Sequence, residues 1–447
     1  MYRNNKDLLG KSWVIIFSLQ LLLGSPLLSS EPNINPGSDS WINQLELRPM
    51  DLPSQVKSLD ELIEISLSRN SELRARYAAW KSSEETENTI SSLPDPTLGV
   101  GYFIEPVETA QGPQSAKISL GQTIPWRSKI RAARETREYQ SIQSYEALET
   151  VNLSLIREIS SLWVEAGYIQ SQTSIIAAKI ALSRDLEEIL SIQYQSASIS
   201  HKKLVEVQIQ TLQLENDLRD IESQFYRLKV KLGSILEIDY PLPDDFLPIQ
   251  TVQFLYEFSS GEVSSDHPRL QGLEAMVQET RARKASAQAA YIPDLKIGLD
   301  YILTDKKVAN GVDIAGSGKN PLILRAGIAL PLWNWKSKKA EVKASEWREK
   351  KARALLDAES SKLAQDYDIS QSMLDEDMRL IHLYEDQLLP KAREIEKVMQ
   401  QEYIGQSSDV FSYTMARQHV LDLQLVLIKA QYSAQLHLAE LSYLKGK

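Results

Sequence analysis

The sequence predicts a mainly α-helical fold with a small β part: a duplicated unit of long antiparallel coiled-coil helical hairpins plus two β-hairpins. Three observations carry this expectation. Two alternating apolar phrases, LPDPTLGVGYFIEP (93–106) and IPDLKIGLDYILTD (292–305), interrupt charged, helix-favouring sequence at corresponding places. From Arg127 to about Ser198 there is no proline and one glycine, Gly167; from Lys336 to about Tyr403 there is one proline, Pro390, and no glycine. The segments that follow these stretches repeat apolar residues at heptad spacing.

Residues 1–30 read as an export signal. Arg3, Lys6 and Lys11 form a basic start, and WVIIFSLQLLLG (Trp13–Gly24) is an apolar core followed by small residues. That run falls short of the ~20 residues a spanning helix needs. Residues 31–56 form a polar, proline-containing linker.

The first repeat is placed at 57–245. Ser58 and Glu61 make a capping-box start for its first helix. A β-hairpin at 97–124 follows, then a long helical hairpin with its tip near 196–200. The returning arm carries Leu204, Val207, Thr211, Leu214, Leu218, Ile221, Phe225, Leu228 and Leu232, a coiled-coil seam. The connection EIDYPLPDDFLPIQ (237–250) then carries three prolines.

The second repeat, 246–447, has a helix, a β-hairpin at 295–331 and a helical hairpin with its tip near 404–409. Its returning arm repeats the seam with Leu423, Leu427, Ala430, Ala434, Leu441 and Leu444. Both β pairs end in proline then tryptophan (Pro125, Trp126; Pro331, Trp333) and run directly into a basic helix start. At a rise of ~1.5 Å per residue, each long helical stretch reaches about 100 Å.

Read with period two, Leu98, Val100, Tyr102 and Ile104 share one strand face; Leu295, Ile297, Leu299, Tyr301 and Leu303 do so in the second copy. The opposite faces carry small, polar or charged residues, among them Lys117, Lys296, Asp300 and Arg325, which in a membrane barrel are expected to face the lumen, where charge is tolerated and can tune selectivity. A run of about 9–11 residues is what a tilted strand needs to cross a bilayer. An ordinary soluble hairpin with one face on a core also alternates this way. Four strands cannot close a barrel, for which about eight is the practical minimum. Open strand edges are not tolerated in hydrocarbon. A membrane form must therefore pool strands from several subunits.

Composition narrows the function classes. The net charge of −10 argues against nucleic acid as a partner. With no cysteine, disulfides, thiolate metal sites and a lipidated N-terminal cysteine are excluded. The five histidines (His201, His267, His382, His419, His437) show no metal or catalytic spacing. GSGKN (316–320) lacks the hydroxyl residue of a phosphate-binding loop and reads as an exposed turn. No enzyme activity and no cofactor are expected. A periplasmic coiled-coil scaffold would explain the signal and the heptads, but not the matched strand pairs.

The ordered phrases SLDELIEISLSRNSELRARYAAW, LPDP, TIPW, YQSASISHKKLVEVQIQTL, DHPRLQGLEA, AYIPDL, ALPLW and YIGQSS together resemble the TolC-like outer-membrane efflux proteins. The resemblance covers nearly all of the chain after the signal. It implies a homotrimer in the bacterial outer membrane, each subunit giving four strands to a twelve-stranded transmembrane barrel, with the helical hairpins forming a periplasmic channel. It implies a periplasmic adaptor protein and an inner-membrane transporter of the resistance-nodulation-division or ABC type as partners, with outer-membrane lipid around the barrel. Efflux of small solutes and type I protein secretion both fit. The family's tips often read Tyr-x-x-Gly, a small hydroxyl residue, then acidic residues facing the pore. The matching positions are Ala197, Ser200 and Glu206 at the first tip and Gly405, Ser407, Ser408 and Asp409 at the second. This chain departs from the pattern with Ala197 at a glycine position, and with Phe411 and Thr414 where paired aspartates often stand. Asp409 also reads as a helix N-cap.

Overall fold

A computed structural model describes residues 41–42, 49–89, 93–238, 242–243, 246–247, 263–330, 333–405 and 407–446. The expected signal at 1–30, most of the linker at 31–56, Pro331 and much of the 237–250 connection lie outside the described residues.

The chain opens with two helices, α1 (Leu59–Arg69) and α2 (Ser71–Asn88). The expected cap is present. The Ser58 hydroxyl accepts from the Glu61 amide at 3.3 Å, and the Glu61 carboxylate reaches back to the Lys57 amide at 2.6 Å. Asn70 ends α1 and caps α2, its side chain accepting from the Leu73 amide at 2.9 Å.

The first strand pair is β1 (Thr97–Thr109) and β2 (Gly112–Ile124). The second is β3 (Leu295–Thr304) and β6 (Leu322–Ile328), with a minor hairpin β4 (Val308–Ala309) and β5 (Val312–Asp313) between them. Strand lengths of 13, 13, 10 and 7 residues straddle the expected span. The extra length of β1 includes Pro106, which removes a ladder donor. It is tolerated because β1 is an edge strand whose register breaks between Tyr102 and Val107. The two hairpins join in one antiparallel sheet of order β1-β2-β3-β6, which leaves β1 and β6 as edges.

A single helix of 69 residues, α3 (Arg127–Gln195), follows the first hairpin, and α4 (His201–Ile235) returns along it. In the second half, α5 (Pro268–Ala289) precedes the strands. The helix after β6 is α6 (Trp335–His382), continued by a π segment (Leu383–Leu388) into α7 (Leu389–Ile404); α8 (Val410–Leu444) returns. The π segment explains how Pro390 is accommodated. A proline ring clashes with the carbonyl four residues back, and the widened turn just before it makes room.

Of the heptad seam of α4, Leu204, Val207, Thr211, Leu214, Ile221, Leu228 and Leu232 are buried, and Leu218 and Phe225 are partly buried. Against the stretch from Leu214 to Leu232 α3 presents Leu155, Ile159, Leu162, Ile169, Ile176 and Ile180, and beside Leu204 and Val207 it presents Leu186 and Leu190. A fully buried side chain of this kind stabilises by about 1.5–3 kcal/mol. The matching seam of α8 packs Ala430, Ala434, Leu441 and Leu444 against Leu363, Tyr367, Leu374 and Ile381 of α6. The two halves are tied through α3 and α8. Arg157 pairs with Glu440 at 2.8 Å, Lys179 with Asp422 at 2.6 Å, and the rings of Tyr168 and Tyr432 stack at 4.6 Å. The result is long packed helices at one end and an open-edged sheet at the other. Among the described residues, no helix is long and apolar enough to cross a membrane.

Candidate functional site

Two regions hold the side chains singled out in the sequence, the sheet and the helical tips. In the sheet, the register aligns the apolar alternation of all four strands. Leu98 opposes Leu120, Val100 opposes Ile118, Ile118 opposes Tyr301, Leu120 opposes Leu299, and Leu299 opposes Leu324. This face is open to solvent in the single chain. Leu98 is 72% exposed, Val100 76%, Ile104 92% and Leu324 76%, far more than a soluble core face allows. Trp126 and Trp333, where the strands meet the helices, are also exposed.

The opposite face gathers glycine, serine and charge. Asp300 is buried, and both its oxygens are engaged. Lys117 Nζ lies 2.9 Å from Oδ2, Arg325 Nε lies 2.6 Å from Oδ2, and a guanidinium nitrogen of Arg325 donates to Oδ1 at 2.7 Å. The carboxylate thus links three adjacent strands, β2, β3 and β6. Three of the four charged residues singled out on this face come together. Lys296 does not join them. It sits opposite Thr123 and Gly327, at the helical end of the strands, and is exposed.

At its far end the sheet is closed by tight turns. Gly112 has a φ of +124°, and a Cβ there would stand 1.9 Å from the Asp305 carbonyl oxygen, so the turn requires glycine. The GSGKN segment is an exposed turn: the Gly318 amide donates to the Gln111 carbonyl at 2.7 Å, docking it on the β1–β2 turn.

The first tip closes on Ala197, which has a φ of +56°, in the left-handed region. The Ser198 amide donates to the Gln193 carbonyl at 2.8 Å, and the Ala197 amide to the Tyr194 carbonyl at 2.9 Å. Alanine therefore closes this tip in a left-handed conformation without glycine's freedom. Ser200 is the N-cap of α4 but makes no side-chain capping bond. Glu206 is exposed and pairs with Lys202 at 3.5 Å.

The second tip is built differently. Gly405 sits at an ordinary φ of −77°. The Ser407 and Ser408 amides both donate to the Glu402 carbonyl, at 2.8 and 3.3 Å. Asp409 is exposed and caps α8, accepting from the Ser412 amide at 2.9 Å. Bonds from the Ser412 hydroxyl and amide, helped by the Lys203 ammonium, hold its carboxyl below the usual range. Phe411 and Thr414, singled out just after Asp409, both pack inward. Thr414 is buried, and Phe411 packs beside Val410 against Leu186, Leu190, Leu204 and Val207. This cluster joins the two tips, a contact the sequence did not announce because its members come from both repeats. Among the described residues, no group of His, Asp and Glu side chains is arranged to hold a metal ion.

Comparison with known proteins places this arrangement. Residues 260–447 match the outer membrane efflux protein family. A relative from Aggregatibacter actinomycetemcomitans, toxin and drug export protein A, is 19% identical over 240 residues, covering 52% of this chain and 50% of that protein. The chain thus spans about half the length of that relative. Among solved structures, the Neisseria gonorrhoeae MtrE outer membrane channel in its open state superposes with a TM-score of 0.70 at 15% identity, over 87% of this chain and 88% of that one. The outer membrane protein VceC of Vibrio cholerae gives 0.67 at 16% identity, over 87% and 96%. CusC, a channel-forming protein, gives 0.70 at 13% identity, over 90% and 98%. The mainly helical, duplicated fold and the resemblance read from the motifs are both borne out.

Proposed function

We propose that this chain, whose residues 260–447 are an outer membrane efflux protein domain on the fold of the outer-membrane channels, is the exit duct of a tripartite efflux system. The observation that carries this reading is the sheet: four strands with open edges and a continuous, exposed apolar face, joined directly to helices about 100 Å long. Exposed apolar strands need hydrocarbon, and open edges need further strands. Three copies supplying twelve strands meet both needs, and the same symmetry arranges the helical hairpins as a tube through the periplasm. The duct is passive; a periplasmic adaptor and an inner-membrane transporter deliver the cargo and supply the energy. The tips at Ala197–Ser200 and Gly405–Asp409 are the periplasmic end, where the channel closes and the adaptor docks.

The test is direct. The protein should be recovered from the outer-membrane fraction as a heat-sensitive trimer, and it should conduct ions in planar bilayers. Deleting its gene should sensitise cells to small toxic solutes. Recovery as a soluble periplasmic monomer refutes the channel and supports a coiled-coil scaffold. The relative's name joins toxin and drug export, which keeps protein secretion as a second reading. Loss of a secreted protein with unchanged solute sensitivity selects it.

A further inference from the structure

From the level of Lys117 to the helical end, the polar strand face carries an unbalanced charge. Lys117, Lys296 and Arg325 stand on this section with a single carboxylate, Asp300, whose two oxygens are already taken. The side chain of Asp300 is 2% exposed, against 34% for Lys117 and 55% for Arg325, so solvent on this face meets the cations and not the anion. Lys296 is exposed and forms no ion pair among the described residues. Glycines make the cations accessible. A Cβ at Gly101 or Gly327 would meet nothing within 4 Å, and at Gly298 it would stand 3.5 Å from the Arg325 guanidinium, which lies across that glycine to reach Asp300. Glu108 of β1 pairs with Pro113, four positions beyond Lys117 on β2, and Glu105 falls in the register break between, so the carboxylates of β1 lie toward the far turn, on the other side of Lys117 from Asp300, Arg325 and Lys296.

We propose that this face is an anion-selecting section of the pore, favouring chloride and solutes that carry carboxylate, phosphate or sulfonate groups. The inference rests on the channel reading, because only an apolar face turned to lipid turns this one to the lumen. Asp300 then has a positioning role. By clamping Lys117 and Arg325 across three strands it holds two cationic groups at fixed height, while Lys296 adds a free charge nearer the helices. Within this section each chain contributes two positive charges in excess, three cations against Asp300, and every further copy around the axis repeats them. In a narrow, low-dielectric passage such a ring raises the local anion concentration.

The full-length protein, reconstituted in planar bilayers of neutral lipid, is tested by its reversal potential under a potassium chloride gradient. The wild type is expected to show a chloride-to-potassium permeability ratio above one. Lys296→Glu should lower that ratio by about twofold or more, and Lys296→Gln by less. A heat-sensitive oligomer on a gel confirms assembly of each variant, and Lys296→Gln decides if Lys296→Glu does not assemble. A conducting wild type that prefers potassium, or an assembled variant with an unchanged ratio, overturns the proposal. Absence of any wild-type conductance overturns the channel reading itself, and this proposal with it.

Discussion

Replacing Ala197 with glycine should make the first tip more stable. Ala197 holds a φ of +56° so that the Ser198 amide can reach the Gln193 carbonyl at 2.8 Å and close α3. An L-residue in that region bears roughly 1–2 kcal/mol of crowding between its Cβ and the following carbonyl. Glycine removes the crowding, but its greater freedom in the unfolded chain returns about 0.5–1 kcal/mol. The net gain is about 1 kcal/mol or a little less, equivalent to a fewfold slowing of local opening. Amide hydrogen exchange at Ser196–Ser198 reads this locally, with the buried centre of the α3–α4 pair as internal reference. Ala197→Val should act in the opposite direction, because a β-branched side chain is least tolerated at positive φ. Gly405→Ala is the control. At a φ of −77° the position needs no glycine, and the added Cβ would sit 3.3 Å from the Gln401 carbonyl, an effect of about 0.5 kcal/mol or less. Faster exchange in Ala197→Gly, or slower exchange in Ala197→Val, would refute the left-handed closure.

Asp409→Ala removes the cap of α8 and should cost about 1 kcal/mol of local stability, measured by exchange at Ser412; it should also raise single-channel conductance, and unchanged currents would exclude a gating role. Because hydrogen bonding depresses the Asp409 pKa, its stabilising effect is full above the unfolded pKa and is lost only as pH falls through the lower, folded value. Exchange at Ser412 should therefore stay slow until the medium is more acid than an ordinary aspartate requires. Glu146 behaves in the opposite sense: burial, with Glu149 nearby, pushes it up to about 7, so folding binds its proton and stability falls as pH rises from 4.5 towards 7. Glu146→Gln should stabilise the protein by on the order of 1–3 kcal/mol at pH 8 and by little at pH 4, read from denaturation midpoints. Gly112→Ala should disrupt the turn against Asp305 and abolish the heat-sensitive oligomer, and normal assembly would show that the turn can open.

Much of the architecture was legible because periodicity is local. The spacing Leu204, Val207, Thr211, Leu214 specifies a buried helical stripe whatever lies opposite, and the alternation Leu98, Val100, Tyr102, Ile104 specifies a two-faced strand. The cap at Ser58 was legible for the same reason, since donor and acceptor lie three residues apart. The site was less so. Which charges on the strand face meet depends on the β2–β3 and β3–β6 registers, set between segments far apart in the chain. A slip of one residue would turn Asp300 to the apolar face. Pro390 stood inside the expected long helix, and only the folded chain showed that a π segment carries the helix past it.

The sequence by itself determined that this protein has long helices, four short strands and too few strands to close a barrel, because each of these follows from local pattern and count. The tertiary structure decided which residues of the two halves meet: Asp300 with Lys117 and Arg325, and Val410 with Leu186 and Leu204. Those contacts join positions distant in the chain, whose partners are chosen by register and burial and leave no periodic trace in the sequence.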